Sequence, residues 1–226
     1  MKELTDEERA RSITVKMDDF FTARVGIYDY HMLHNVEGLP EGYHELAKLI
    51  PPDAQTLLDL GCGTGLELEE IFNLNPRIQV TGIDLSLPML DRLLEKFSSN
   101  SITAVCASYL DCDFDNAAFD CALSVETMHH WLPEEKIKVY KSIHKALKTG
   151  GRYIECDYMV DTQSEEDYWF SENKRIRAEQ SLADDEYYHL DIPCTINNQI
   201  SLLLRAGFAQ ASTVWRKGTT TVIVAE

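Results

Sequence analysis

One turn constrains this chain more than any other feature. Leu57-Leu58-Asp59-Leu60 is a short apolar run that reads as a strand, Gly61-Cys62-Gly63-Thr64-Gly65 follows as a turn, and Leu66 to Asn73 has helical spacing. Glycines let a chain turn tightly and bring its backbone against a ligand. The start of the helix adds free N–H groups and a partial positive charge. Together they suit a nucleotide. The dinucleotide fingerprint G-x-G-x-x-G needs glycine at 66, where Leu66 stands, so the spacing here is G-x-G-x-G with Asp59 two residues before it. Nineteen residues after Gly65 the next apolar run ends in Gly82-Ile83-Asp84. A carboxylate at that strand end can accept both hydroxyls of a ribose, and the same Asp84 can cap the helix that follows. A tight connection without a ligand is the alternative for the glycine turn, and the placement of Asp84 speaks against it.

The rest of the chain continues the alternation. Strands are predicted at Ile78–Ile83, Ile102–Cys106, Phe119–Val125 and Arg152–Tyr158, with helices at Leu87–Phe97 and Pro133–Leu147, the latter ended by Gly150-Gly151. Residues 41–50 form a helix stopped by Pro51-Pro52, and residues 1–38 are polar and irregular. A charged, helix-prone insert spans residues 161–191, a helix covers Thr195–Arg205, and Ala211–Trp215 with Thr220–Ala225 make a hairpin turning at Lys217-Gly218. Strand–helix alternation implies an α/β fold, an open, Rossmann-like doubly wound sheet, with the closing hairpin adding an antiparallel last strand.

Composition narrows the function classes. Lys plus Arg is 21 against 38 Asp plus Glu, a net charge of −17. Such a surface repels phosphate backbones and anionic membranes, so nucleic-acid partners and membrane association are not expected. No run approaches the ~20 apolar residues of a membrane span, and the acidic Met1–Glu8 is unlike a signal peptide. None of the six cysteines forms Cys-x-x-Cys, so zinc spacing is absent, no metal is expected, and a reducing cytoplasm is the simplest setting.

As a set, Leu-Asp-Leu-Gly-Cys-Gly-Thr-Gly at 58–65, Gly-Ile-Asp-Leu-Ser followed by Met89-Leu90, Phe119 to Ser124, and Leu147-Lys148-Thr149-Gly150-Gly151 resemble the class I S-adenosylmethionine-dependent methyltransferases, over about residues 40–160. The resemblance implies one domain over 1–226 and a seven-stranded sheet of order 3-2-1-4-5-7-6. It also implies an N-terminal helical cap over 1–50, a helical lid insert over 161–194, and S-adenosyl-L-methionine across the carboxyl ends of strands 1, 2 and 4. In that reading Gly61 and Gly63 approach the methionine moiety above Asp59, Asp84 holds the ribose, and Leu85 and Met89 pack on adenine. Ser124 lies near the methyl donor. Where the family has Gly-Asp-Ala after strand 3, this chain has Ala107-Ser108-Tyr109, so Ser108 replaces a carboxylate at the adenine amine.

The two ends of the chain also resemble the branch of carboxy-S-adenosylmethionine synthases and tRNA wobble-uridine enzymes. That branch implies a cofactor contact from Tyr43. It also has a basic residue where Leu202 stands here, with Arg205 three residues on, and this departure argues against carboxylated-cofactor chemistry. Methyl transfer needs alignment, exclusion of water and sometimes a base. After strand 4, Glu126-Thr127-Met128-His129-His130-Trp131 should face the methyl group, with His129 and His130 either accepting a proton or bracing the loop. Tyr28, His31, Glu126 and Trp169 are the candidate acceptor contacts, Tyr28 and His31 belonging with Tyr30 and His34 to one N-terminal cluster. The acid-rich face of the insert, Asp191 included, reads as solvated surface. A small-molecule methyltransferase is thus expected, with a non-catalytic cofactor-binding protein or a tRNA wobble-uridine modification enzyme as alternatives.

Overall fold

A computed structural model describes residues 13–226, so the acidic Met1–Glu8 lies outside the described residues. The elements run α1 (Met17–Arg24), α2 (Tyr28–Asn35), α3 (Leu39–Ala47), β1 (Thr56–Leu60), α4 (Leu66–Leu74), β2 (Gln79–Asp84), α5 (Leu87–Lys96), β3 (Ile102–Cys106) and β4 (Phe119–Val125). After a 3-10 turn at Met128–His130 come α6 (Pro133–Ala146), β5 (Leu147–Tyr158), α7 (Gln163–Glu179), α8 (Ile196–Ala206), β6 (Ala211–Lys217) and β7 (Thr220–Ala225). The seven strands form one sheet of order β3-β2-β1-β4-β5-β7-β6, as expected. Strands β1 to β5 pair in parallel, and β7 is antiparallel to both β5 and β6.

Both faces of the sheet are covered, which is why β1 reads as a continuous apolar run rather than an alternation. Leu57 and Leu58 point to opposite faces and both are fully buried. Leu57 joins a core built with α3, α4 and α5, and Leu58 one built with α6 and α8.

Three sequence expectations need correction. Residues 17–35 are not irregular: they fold as α1 and α2, whose apolar faces are too narrow to give a clear period and which are held by a few apolar anchors, Met17, Phe21, Tyr28 and Met32, together with polar contacts to the body. Gly150-Gly151 does not end α6. Leu147 is already extended, and β5 begins there. Its register against β4 jumps from Phe119↔Leu147 to Cys121↔Arg152, so the Gly-Gly pair lies in an irregularity inside the strand. Lys217 is the last residue of β6, leaving the turn to Gly218 and Thr219.

Candidate active site

Parallel pairing aligns the carboxyl ends of four strands at one edge. Leu60 is level with Ile83 on β2 and Ser124 on β4, and Val125 with Cys156 on β5. The next residues, the glycine turn, Asp84, Glu126 and Asp157, therefore meet there, where open α/β sheets bind ligands.

The glycine turn is shaped by what packs on it. Gly61 has φ +70° and faces Thr127, whose hydroxyl would stand 2.7 Å from a side chain added there. Gly63, at φ +48°, faces the Tyr28 ring at 3.7 Å. Glycine suits the left-handed backbone at both positions, and at Gly61 the close approach of Thr127 as well. Asp84 is tied into this turn: Oδ2 accepts from Gly63 N at 2.9 Å and Oδ1 from Ser86 N at 2.8 Å. Burial pushes its carboxyl up in spite of those amides. Helix α2 is pinned over the turn by Asp29, which accepts from the Thr64 hydroxyl at 2.5 Å and pairs with Arg92 at 3.1 Å.

Beneath the turn, Asp59 and Glu67 are buried against one another, and apart from the proton they share neither oxygen of Asp59 nor Oε1 of Glu67 has a hydrogen-bond donor. Burial pushes both carboxyls up, Asp59 further raised by Glu67. The Tyr28 and Tyr43 phenols share this neighbourhood and are pushed up by burial and then by surrounding groups, Glu67 and Glu126 among them. Met89 is buried at the start of α5, and Leu85 packs half-buried on the second core.

Beyond β4 the chain turns sharply at Glu126, a non-glycine residue with φ +49°. Its Oε1 is buried without a partner, and burial pushes the carboxyl up to about 8. His129 follows in the 3-10 turn and is locked by Asp157: Nδ1 lies 2.5 Å from Oδ1, and its backbone N donates to Oδ2 at 3.0 Å. Against burial, Asp157 lifts His129 to about 9. His130 goes the other way, lowered by burial and by the charge on His129. Tyr158 stands edge-on to His129 at 5.9 Å, and Trp169 of α7 edge-on to Tyr158 at 6.4 Å. A cavity of about 230 Å³ opens beside His130, bounded also by Trp131, Asn173, Arg177, Tyr187 and Ile192. The N-terminal segment and the 161–194 segment meet around it: Met17 N donates to Tyr187 O at 3.0 Å, and Ile192 N to His129 O at 2.7 Å.

Several expected residues sit elsewhere. The Ser124 hydroxyl is buried and bonded to Tyr153 Oη at 2.5 Å, inside a polar network on the α6 face, so it does not face the cleft. His31 is exposed, paired with Asn35 one turn on, and Tyr30 stacks on His34 at 4.3 Å in solvent, so of the N-terminal cluster only Tyr28 reaches the site. The Ser108 hydroxyl accepts from Leu110 N at 3.2 Å, a local turn contact. The Tyr109 hydroxyl binds Thr127 Oγ1 at 2.7 Å and accepts from Trp131 Nε1, bracing the loop after β4 rather than opening to a ligand. Asp191 is not part of a solvated face, since its Oδ1 is buried between the two histidines. Sequence reading missed Glu67, Asp157 and Asp191. A signal existed for the first two: an acid in the first turn after the glycines, and an acid inside an apolar central strand. Asp191 carried none.

A Rossmann-like sheet of this order, with a glycine turn, a strand-end aspartate and unpaired acids at its carboxyl edge, defines a nucleotide-cofactor-dependent transferase fold. A family model described as a methyltransferase domain matches residues 57–151. The cypemycin N-terminal methyltransferase of a Streptomyces species is 34% identical over 113 residues, 47% of this chain and 43% of that protein. The carboxy-S-adenosyl-L-methionine synthase of Helicobacter pylori is 25% identical over 213 residues, 87% of this chain and 85% of that one. Among solved structures, the DhpI complex with S-adenosylhomocysteine superposes with a TM-score of 0.68 at 13% identity, covering 92% of this chain and 93% of DhpI. Human N-acetylserotonin methyltransferase with S-adenosylmethionine gives 0.63 at 15%, over 98% of this chain and 56% of that one. Residues 57–151 thus carry a methyltransferase domain, in a fold shared with solved structures of S-adenosylmethionine and S-adenosylhomocysteine complexes. The chain spans less than half the length of some relatives it matches, 43% of the cypemycin enzyme and 46% of Arabidopsis thaliana 24-methylenesterol C-methyltransferase 2. No helix among the described residues is long and apolar enough to cross a membrane.

Proposed function

We propose that this chain transfers a methyl group from S-adenosylmethionine to a small-molecule acceptor lying between the loop after β4 and α7. One observation carries the reading: Asp59, Glu67 and Glu126 are buried acids with oxygens that no donor satisfies, gathered at the carboxyl edge beside the glycine turn. Leaving such groups unpaired is costly, and a ligand bearing an ammonium and a sulfonium relieves that cost. Asp84 would accept the ribose hydroxyls on lone pairs its amide bonds leave free, Met89 and Leu85 would flank the adenine, and Tyr43 and Tyr28 would close over the methionine end. When bound, S-adenosylmethionine supplies an electrophilic methyl carbon.

The chain's own work is then alignment, exclusion of water and handling of one proton. Tyr28 on α2 and Trp169 on α7 come from the two segments that cover the cleft, and we assign both to enclosure. Of the two histidines, His130 is the neutral one near pH 7, so the proton of an acceptor hydroxyl or amine is assigned to it. His129, held protonated by Asp157, stabilises negative charge on the acceptor. The carboxy-S-adenosylmethionine relatives do not extend this reading, because Leu202 is buried in the α6 face core and Arg205 is exposed. The test is a screen of metabolite extracts with methyl-labelled cofactor. Acceptor-dependent labelling that is lost in Gly63→Val supports the reading, and tight cofactor binding with no labelling of any acceptor contradicts it.

A further inference from the structure

Three donor atoms converge where the loop after β4 meets residue 191. His129 Nε2 lies 3.7 Å from Asp191 Oδ1, His130 Nδ1 lies 3.4 Å from the same oxygen, and the three residues offer ligand atoms within 4.8 Å of one another. These separations are too long for a charge-assisted hydrogen bond, which prefers about 2.7–2.9 Å. They lie close to a different arrangement, the 3.4 Å separation inside its range and the 3.7 Å one just beyond it. Ligands about 2.0–2.2 Å from one tetrahedral ion stand about 3.3–3.6 Å apart. Asp191 Oδ1 is buried with no partner at good hydrogen-bond distance, His130 Nδ1 standing 3.4 Å away, although its side chain as a whole is 34% exposed. His130 Nδ1 is also 3.4 Å from Leu190 O, again longer than a good bond.

The surroundings complete the pattern of a metal centre. Asp157 Oδ1 takes the Nδ1 proton of His129 at 2.5 Å while also accepting Tyr158 N at 2.8 Å, so the ring is fixed with Nε2 turned to the cluster. A carboxylate behind a ligating histidine does this in metal sites generally. Glu126, its side chain 10% exposed, stands 4.0 Å from His129 Nδ1.

We propose that His129 Nε2, His130 Nδ1 and Asp191 Oδ1 bind a divalent transition-metal ion, with Asp157 as the positioning residue behind His129. Two imidazoles and one carboxylate favour zinc, cobalt or iron over magnesium or calcium. Because His130 also lines the 230 Å³ cavity, the remaining coordination position is open to an oxygen or nitrogen of a molecule held there. The site does not depend on the methyl-transfer reading, and it changes two elements of that reading: in the metal-loaded protein His130 is a ligand and no longer a base, and His129, bound through Nε2, is no longer an imidazolium.

The test uses the full chain, stripped with chelator, titrated with Co2+ and followed by its visible absorption, then with Zn2+ by calorimetry. The expected result is one ion per chain, with the intense visible bands of a tetrahedral cobalt centre. Asp191→Asn and His130→Ala should each weaken binding at least tenfold, and Asp157→Asn by about 10–100-fold. Melting curves establish that each variant is folded. Wild-type protein that binds Co2+ no better than the His129→Ala/His130→Ala double variant overturns the proposal. So does binding that is unchanged in Asp191→Asn. Titration of the stripped protein with S-adenosylmethionine is a separate measurement, so loss of one site is told apart from loss of the other.

Discussion

At the amino end of the sheet, Asp120 on β4 accepts from Gln55 N, Thr56 N and the Thr56 hydroxyl at 2.9 Å each, and from Lys148 Nζ at 2.8 Å. At the carboxyl end, Asp59 on the neighbouring strand is more deeply buried and has no donor beyond the proton it shares with Glu67. The contrast repeats with the glutamates. Glu155 accepts from Tyr140 Oη at 2.7 Å, from Tyr153 Oη at 2.9 Å and from Gln199, whereas Glu126 has a bare Oε1 and a left-handed backbone. Proteins rarely leave buried polar atoms unpaired. Acids furnished with donors from the chain hold the fold together, and acids left without them at one edge of the sheet are kept for something that arrives from outside.

The largest expected effect lies on the furnished side. Glu155→Ala removes a charge near the buried Lys136, whose Nζ bonds Gln199 Oε1 at 3.1 Å and Cys194 Sγ at 3.4 Å, and takes one acceptor from two tyrosine hydroxyls. Removing one member of such a buried set costs about 3–5 kcal/mol, to be read by urea unfolding, with cofactor affinity of the folded protein unchanged. If Glu155→Ala spared stability but abolished cofactor binding, the division between the two sides would fail.

Glu67→Gln gives the opposite result. Burial lifts the Glu67 carboxyl to about 7, so the folded state holds a proton that the unfolded chain releases near 4.5. Stability from this group is therefore present at low pH and lost as pH rises through 7. The wild-type melting temperature should fall across that window, and Glu67→Gln should flatten the fall. A cationic ligand wants the ionised form, so S-adenosylmethionine affinity should rise with pH between about 6 and 8, by at most about tenfold per pH unit. Glu67→Gln should remove that slope, as calorimetry at a series of pH values would show.

Asp120 should give the smallest effect. Against the upward push of burial, Lys148 and the Gln55 and Thr56 donors hold it at about 2. Its contribution is present above about 4 and lost as pH falls toward 2. Because the pair sits near the surface, Asp120→Asn should cost no more than about 1 kcal/mol, with no change in cofactor affinity. A clear loss of affinity in this variant would erase the contrast between the two ends.

The glycine turn and Asp84, the proposed cofactor residues, were legible as one group because they are consecutive or tied to a strand end. Leu57 to Gly65 and Asp84 are placed by local backbone geometry alone, and the sheet order came with the motif set. The acceptor half was not, because it is assembled over distance. Asp157 meets His129 only through the β4–β5 register, and Asp191 arrives from the far end of a segment in which, Glu166 apart, most acids are at least partly exposed. Ser124 shows the reverse error. Its position at a strand end was right, but strand alternation turned its side chain to Tyr153 on the opposite side from the expected ligand. The α1 and α2 helices went unseen because polar pins such as Asp29 and a few separate apolar anchors, and not an apolar stripe, attach them.

The central claim, that the carboxyl edge is an S-adenosylmethionine site organised around Asp84, is tested most directly by titrating that cofactor into wild type, Asp84→Asn and Asp84→Ala, with melting curves on the same samples. Charge-assisted bonds from the ribose hydroxyls are each worth roughly 1.5–3 kcal/mol. Asp84→Ala should therefore weaken binding by about tenfold to several hundredfold, and Asn by less. Because Asp84 also holds Gly63 N and Ser86 N, the alanine variant should melt at a lower temperature, by about 1 kcal/mol of stability. Wild type that binds the cofactor, with affinity falling in this order, is the predicted result. Unchanged affinity in Asp84→Ala, with only the melting temperature lowered, would contradict the account and reduce Asp84 to a tie between the glycine turn and α5.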